Sequence, residues 1–109
     1  MKIDLPDPIA RYFDADREKS AAAVADCFTD AAVVKDEGKS HAGKDAIRQW
    51  KSETSSTFSY TVEPFAIVTE DDRTIVTSHV VGDFPGSPVD LRYFFALSGG
   101  KIAALEIIP

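Results

Sequence analysis

Four residues of this sequence carry side chains suited to acid–base chemistry on an organic molecule: Tyr12, Asp36, His79 and Arg92. A carboxylate or an imidazole can take a proton from carbon. A hydroxyl or a guanidinium can stabilise the negative charge that then develops on a neighbouring oxygen. Each of the four also has an ordinary structural explanation.

The structural alternatives differ from residue to residue. Asp36 either serves as a base or ends a strand and accepts hydrogen bonds in the turn that follows. Tyr12 either offers its hydroxyl to a ligand or packs against the next helix. His79 faces either a pocket or the outside of a sheet. Arg92 either reaches a ligand or pairs with Asp90, which lies two residues away and hence on the same strand face.

Helical patterns fill the first half of the chain. The pair Asp7-Pro8 predicts the start of a first helix, which ends near Asp14. A second helix is predicted over residues 20–28. A third begins near Gly43 or Lys44, and its inward face is formed by Ala46, Ile47, Trp50 and Thr54.

Strand patterns follow two of these helices. "AAVVKD" predicts a strand between the second and third helices, and four more strands are predicted after the third: "FSYTVEPFAIVT", "TIVTSHVVGDF", "PVDLRYFFALS" and "KIAALEII". The separators "EDDR", "PGS" and "GGK" are typical of turns between antiparallel strands. Helices followed by such a meander predict a single α+β domain over residues 1–109.

The strand "PVDLRYFFALS" carries apolar side chains on both of its faces. Leu91 and Tyr93 fall on one face, while Phe94 falls on the other beside Arg92. A sheet with one face in water would alternate more cleanly. We therefore expect helices to cover one face and a second copy of the chain to cover the other, in a homodimer through the sheet.

Composition excludes several classes of partner. The net charge of -6, from 18 acidic and 12 basic residues, argues against nucleic acid and anionic membrane surfaces, which attract positive proteins. The apolar stretches are too short to span a bilayer, and the start lacks a signal peptide. The single Cys27 fits a reducing cytoplasm, and the two histidines have no metal-ligand spacing. We therefore expect a cytoplasmic protein without cofactor or metal.

Longer segments of the sequence are similar to a known family. "CFTDAAVVKDEGKSHAGKDAIRQW" resembles the helix–strand–turn–helix of the nuclear transport factor 2-like superfamily, in its SnoaL-like (polyketide cyclase-like) and ketosteroid-isomerase-like branches. "FALSGGKIAALEI" resembles the last two strands of the same family. The resemblance implies a cone-shaped (cystatin-like) α+β fold, in which three N-terminal helices pack on a curved, mainly antiparallel sheet. Members of this superfamily include isomerases, cyclases and non-catalytic binding modules, so the fold does not determine the function.

The resemblance also implies roles for the four candidate residues. "Arg11-Tyr12" matches the pair that carries the oxyanion-donating tyrosine of ketosteroid isomerases, and Asp36 falls where they place their general base. Their second oxyanion donor is a carboxylic acid, and Arg92 stands in its place here. SnoaL-like cyclases pair a histidine with an aspartate, which favours a role for His79.

The resemblance thus implies a pocket for a small apolar or carbonyl-bearing molecule, and we expect Phe13, Phe28, Trp50 and Phe94 to form its wall. The leading hypothesis is a cofactor-independent cyclase or isomerase. Asp36 would move the proton, Tyr12 would donate its hydroxyl, and Arg92 or His79 would stabilise the developing charge. The alternative is a non-catalytic ligand-binding or dimerisation module of the same fold.

Overall fold

The computed structural model describes residues 3–109. In this part of the chain two helices are followed by two strands, and a third helix is followed by four strands. The elements are α1 (Asp7–Arg17), α2 (Ala21–Asp26), β1 (Phe28–Asp36), β2 (Lys39–Ala42), α3 (Lys44–Thr57), β3 (Tyr60–Glu70), β4 (Arg73–Gly82), β5 (Val89–Ser98) and β6 (Lys101–Ile108).

The strands form a six-stranded sheet with the order β2-β1-β6-β5-β4-β3. Strands β1 and β6 run parallel, and every other neighbouring pair is antiparallel. The inner face, which carries Val34, Val76 and Phe95, packs against the helices, and we call the opposite side the outer face. The prediction of an α+β fold with helices on a mainly antiparallel sheet is confirmed.

Three of the strand connections are turns of only two residues: Glu37-Gly38, Asp71-Asp72 and Gly99-Gly100. Both residues of each turn have positive φ, from 49° to 78°. This geometry twists in the same sense as the strands and so closes a tight antiparallel hairpin. The connection from β4 to β5, residues 83–88, is longer.

Aromatic rings on α1, β1 and β5 form the centre of the core. Tyr12 meets Phe28 edge to face at a centroid distance of 6.0 Å, and Phe13 meets Tyr93 in the same way at 5.1 Å. Rings prefer this geometry because the positive edge of one faces the negative face of the other. The apolar stripe of α1 thereby fixes the helix against the inner face of the sheet.

Some element boundaries differ from the predictions. Helix α1 extends to Arg17 rather than Asp14, and α2 ends at Asp26, so that Phe28 begins β1. Strand β2 was not predicted, because Lys39–Ala42 is short and polar and its strand character comes only from pairing with β1.

The outer face of the sheet carries both apolar and charged side chains. Phe94 lies between two guanidinium groups, at 5.2 Å from that of Arg73 and 5.8 Å from that of Arg92. Val68 and Val81 on the same face are exposed. None of the helices within residues 3–109 is long and apolar enough to cross a membrane.

Candidate functional site

A cavity of about 610 Å³ lies between α1, α3 and the inner face of the sheet. Most of its wall is apolar and comes from β4, β5, β6 and the 83–88 connection, including Val80, Phe84, Leu91 and Ile107. The polar groups of the wall come mainly from α1, α3 and the end of β1, and β3 and β5 add the hydroxyls of Tyr60 and Tyr93. This combination is typical of a site that binds an organic molecule and orients it through a few polar contacts.

Asp36 is the last residue of β1 and lies in the cavity wall. Val34 is fully buried in the core, and residues two apart on a strand share a face, so the Asp36 side chain also lies on the inner face. Its Oδ2 accepts a hydrogen bond of 3.0 Å from Nε1 of Trp50. Among the described residues no side chain or backbone group donates to Oδ1, which leaves that oxygen available to a ligand.

The Trp50 ring connects Asp36 to the positive charge of Lys51, the next residue of α3. Nζ of Lys51 lies 4.3 Å from the centroid of the Trp50 ring, a distance at which the cation and the π-system attract each other. The half-buried ring of His41 packs near Trp50 at 5.9 Å. Trp50 is thereby held in the orientation that points Nε1 at Asp36.

Lys51 and Asp16 form an ion pair that is almost completely buried. Nζ lies 2.9 Å from Oδ1 of Asp16, and each side chain is only 4% exposed. A buried charge is costly unless it is paired and hydrogen-bonded, and Tyr60 meets this need by donating its hydroxyl to the same Asp16 oxygen at 2.9 Å. The ion pair is thus built into the cavity wall as a neutral unit.

Tyr12 places its hydroxyl beside this ion pair, at 3.5 Å from Nζ of Lys51. Burial is the main cause that raises the pKa of Tyr12 well above its ordinary value, and the negative charges of Asp16 and Asp36 raise it further. Burial likewise raises the pKa of Tyr60 and of Tyr93. Tyr12 therefore keeps its proton at neutral pH; its oxygen accepts the hydrogen bond from Lys51, and its proton can be donated to another acceptor.

Three of the predicted site residues, Tyr12, Asp36 and Trp50, lie together in the cavity wall. Phe13 and Phe28 do not line it, because both are buried in the core behind the wall. Their rings support Tyr12 and Tyr93 from behind, so their contribution to the cavity is indirect.

The other three predicted site residues, His79, Arg92 and Phe94, lie on the outer face. Nδ1 of His79 is 2.8 Å from Oδ1 of Asp90, and both side chains are more than half exposed. Arg92 donates a hydrogen bond to the backbone oxygen of Pro109. The structure does not bring any of the three to the cavity, since residues 79, 90, 92 and 94 alternate with the inward-facing residues of β4 and β5.

Sequence reasoning missed Asp16, Lys51 and Tyr60, although a signal was present for the first two. Asp16 follows Ile9, Tyr12 and Phe13 at the spacing of one helix face. Lys51 follows Ile47 and Trp50 in the same way on α3. Opposite charges on two apolar helix faces indicate a buried ion pair, because neither charge would be tolerated there alone.

A shallower groove of about 330 Å³ lies on the other side of α1, where charged side chains such as Arg11, Glu18 and Lys101 line it. Buried Cys27 borders this groove, and burial raises the pKa of its thiol. A neutral thiol is a weak nucleophile. Within residues 3–109 no group of three or more His, Cys, Asp or Glu side chains is arranged to hold a metal ion.

The cavity therefore combines an accessible carboxylate oxygen with a neutral hydroxyl donor in an apolar enclosure. A carboxylate in such a place can remove a proton next to a carbonyl group. A hydroxyl donor can stabilise the resulting enolate oxygen, and both effects are stronger where water is excluded.

Comparison with known proteins gives three kinds of result. A family model described as the SnoaL-like domain matches residues 9–105. No curated protein matches the chain. Among solved structures, a candidate polyketide cyclase from Sinorhizobium meliloti is 43% identical, with a TM-score of 0.91 and coverage of 96% of both chains.

Two more distant structures share the fold. A protein of ketosteroid isomerase-like fold from Catenulispora acidiphila, solved in complex with trimethylamine, is 16% identical, with a TM-score of 0.85 and coverage of 97% of this chain and 87% of that one. A nuclear transport factor 2-like protein of unknown function from Cytophaga hutchinsonii is 10% identical, with a TM-score of 0.77 and coverage of 99% and 91%.

Proposed function

Because this chain belongs to the SnoaL-like domain family and has the nuclear transport factor 2-like fold, we propose that it catalyses cofactor-independent proton transfer on a carbonyl-bearing organic molecule. The proton transfer would drive either an isomerisation or a ring closure. The similarity to a candidate polyketide cyclase at 43% identity supports the ring closure.

The observation that carries this proposal is the setting of Asp36. Its Oδ2 is fixed by Trp50 at 3.0 Å, while Oδ1 has no donor among the described residues and borders a largely apolar cavity. A base is effective when it is held in one orientation and has a free oxygen directed at its substrate. Asp36 fulfils these conditions, whereas a carboxylate that merely ends a strand would be bonded within its turn.

The proposed reaction begins when Asp36 removes a proton from the carbon next to the substrate carbonyl. The electron pair of the broken C–H bond moves to the carbonyl oxygen, and the hydroxyl of Tyr12 donates a hydrogen bond to the enolate that forms. In an isomerisation, Asp36 returns the proton to another carbon. In a ring closure, the enolate carbon bonds to a second carbonyl carbon, and the new alkoxide takes the proton from Asp36.

The buried ion pair supports this chemistry by fixing the environment of Tyr12. Asp16 and Lys51 neutralise each other, and Lys51 lies 3.5 Å from the Tyr12 hydroxyl. Because the ammonium group has protons to donate, it approaches the hydroxyl oxygen and leaves the hydroxyl proton directed elsewhere. The proton is then free to meet a ligand oxygen in the cavity.

Exchange of hydrogen for deuterium at the carbon next to the carbonyl of 2-tetralone, followed by proton NMR in heavy water, tests the proposal. This ketone is small enough for the cavity and has acidic C–H bonds beside its carbonyl. We expect the protein to accelerate exchange above the buffer rate. Asp36→Asn should lower the acceleration by about 10²- to 10⁴-fold, because an amide does not accept the proton.

Asp90→Asn is the matched control, since it removes the same charge from an exposed position on the outer face. The control variant should retain the exchange rate of the unchanged protein. Equal rates in the Asp36 and Asp90 variants would contradict the proposal. Binding of 2-tetralone without any exchange above the buffer rate would favour the ligand-binding module instead.

A further inference from the structure

Charged side chains in the cavity wall are few, and most of them are negative. Among the described residues that line it, Asp16, Asp36 and Glu37 are acidic and Lys51 is basic. Arg92, which the sequence offered as a group to stabilise negative charge on a ligand, lies on the outer face. Lys51 is thus the single candidate for binding an anionic ligand among these lining residues.

Lys51 is already committed to Asp16. Its ammonium lies 2.9 Å from the Asp16 carboxylate, and both side chains are 4% exposed. Its remaining neighbours are the hydroxyls of Tyr12 and Tyr60 and the ring of Trp50. Turning toward a ligand anion would leave the buried Asp16 carboxylate without its cation, which is strongly unfavourable.

Asp36 and Glu37 have no such compensation. Neither carboxylate lies within ion-pair distance of a Lys, Arg or His side chain in the described part of the chain. Glu37 is exposed and Asp36 half-buried, so the two negative charges lie where the cavity opens to solvent. The field at this opening therefore repels anions and attracts cations.

From this arrangement we infer that the cavity selects its ligands by charge: it takes uncharged carbonyl compounds, accepts those with an ammonium group, and excludes carboxylates. This inference rests on the proposed function, because it names the class of substrate for the same site. The apolar wall binds the body of the molecule, Tyr12 binds its carbonyl oxygen, and Asp36 and Glu37 keep organic acids out.

Binding of three matched ketones, measured by isothermal titration calorimetry at low ionic strength, tests the inference. The ketones are 6-methoxy-, 6-aminomethyl- and 6-carboxy-2-tetralone, which are neutral, cationic and anionic near neutral pH. We expect the first two to bind at least about tenfold more tightly than the third. A carboxylate compound that binds as tightly as the neutral one would overturn the inference.

Two variants test whether the discrimination against the carboxylate compound arises at the cavity. Glu37→Gln should weaken the discrimination against the carboxylate compound about threefold or more, because one of the two charges is removed. Glu63→Gln, an exposed site on the outer face, removes the same charge elsewhere and should leave it unchanged. Equal effects of both variants would assign the discrimination to the net charge of -6 and would contradict selection at the cavity.

A second set of ligands separates this inference from the proposed reaction. In 2-methoxynaphthalene, 2-naphthylmethylammonium and 2-naphthoate the charge varies in the same way, but no carbonyl carbon bears an adjacent acidic C–H bond. The same order of affinities in this set would support charge selection even if 2-tetralone showed no exchange. If none of the six compounds binds, the charge selection is refuted, while the exchange measurement on 2-tetralone decides the proposed function separately.

Discussion

Asp36 and Asp90 are the same side chain in two settings. Asp90 is more than half exposed and meets His79, so water and a surface partner satisfy it. Asp36 is held by the indole of Trp50 and has an oxygen toward an apolar cavity. Because fewer groups compete for this oxygen, Asp36 is the carboxylate suited to act on a ligand.

The Lys51–Asp16 pair leads to a prediction about stability. Lys51→Met keeps the length of the side chain but leaves the buried carboxylate of Asp16 without a cation. We expect the free energy of unfolding, measured by urea denaturation, to fall by about 3–5 kcal/mol. The double variant Lys51→Met with Asp16→Asn should recover part of this loss, because it removes the uncompensated charge.

Lys44→Met on the same helix is the matched control. Lys44 lies 3.6 Å from Asp30, whose side chain is almost completely exposed. Exposed pairs of this kind contribute less than about 1 kcal/mol. A similar loss in the two single variants would show that burial does not make the Lys51 pair special.

At the residue scale, only some of the residues of the candidate site could be predicted from the sequence. The family resemblance implied that Asp36 and Tyr12 belong to one site, and helix periodicity placed Trp50 on the inward face of α3. Helix periodicity also put Asp16 and Lys51 on apolar faces, but their pairing was missed, since charged residues are normally exposed and only the packing of two distant helices makes their burial tolerable. Local patterns thus show which helix face a charged residue lies on, but not which distant residue it contacts.

Gly82 is the last residue of β4 and lies very close to the start of β3. This close contact leads to a prediction about the stability of the β3–β4 pair. A Cβ atom at Gly82 would lie 2.7 Å from Cβ of Tyr60 and would also collide with the backbone oxygen of Ser59. Gly82→Ala must therefore push the two strands apart. We expect a loss of about 1–3 kcal/mol in the free energy of unfolding, measured in urea.

The neighbouring Val81 provides the comparison for this variant. Its side chain is 43% exposed on the outer face. Val81→Ala should therefore change the free energy of unfolding by no more than about 0.5 kcal/mol. If Gly82→Ala unfolded at the urea concentration of the unchanged protein, the close approach of β3 and β4 would be wrong.

The elements themselves were largely predictable, apart from their ends and β2. Long alternating runs such as β4 and β5 are recognisable because period-2 patterns are specific for strands. The alternation also placed His79 and Thr77 on one face. It did not reveal which face is covered by helices. The helices cover the face opposite to His79 and Arg92, and both residues therefore lie away from the cavity.

For the whole molecule, the tyrosines predict how stability depends on pH. All three, Tyr12, Tyr60 and Tyr93, have a pKa raised above the ordinary value of 10.0, mainly by burial. Their stabilising effect is complete below pH 10 and is lost as the pH rises, because the unfolded chain ionises first. Above that pH each tyrosine should lower the free energy of unfolding by about 1.4 kcal/mol per pH unit.

Ultraviolet absorbance of tyrosinate and far-ultraviolet circular dichroism, recorded along the same alkaline titration, check this prediction. Both signals should change together, since the tyrosines ionise only as the chain unfolds. Ionisation of even one tyrosine near pH 10 in a chain that keeps its circular dichroism would show that this side chain is exposed.

The homodimer through the sheet stays a prediction. The outer face on which it depends carries half-buried Phe94 and exposed Val68, together with the opposite charges of Arg73 and Glu63. A face with both signs of charge can be complementary to a copy of itself across a two-fold axis. Sequence alone indicated such a face, because both sides of β5 are apolar.

The 83–88 connection has a consequence for how proteins of this shape can diversify. The two-residue turns fix the register of the strands that they join, so their length cannot change without shifting that register. The longer 83–88 connection contributes Phe84, Pro85 and Gly86 to the cavity wall. Two hydrogen bonds anchor it at its base: the backbone N–H of Asp83 donates to the backbone oxygen of Ser59, and the backbone N–H of Ser59 donates to Oδ1 of Asp83. The length and composition of residues 83–88 can therefore vary without disturbing the sheet. This segment is thus the natural place at which engineering or evolution can change which molecules enter the cavity.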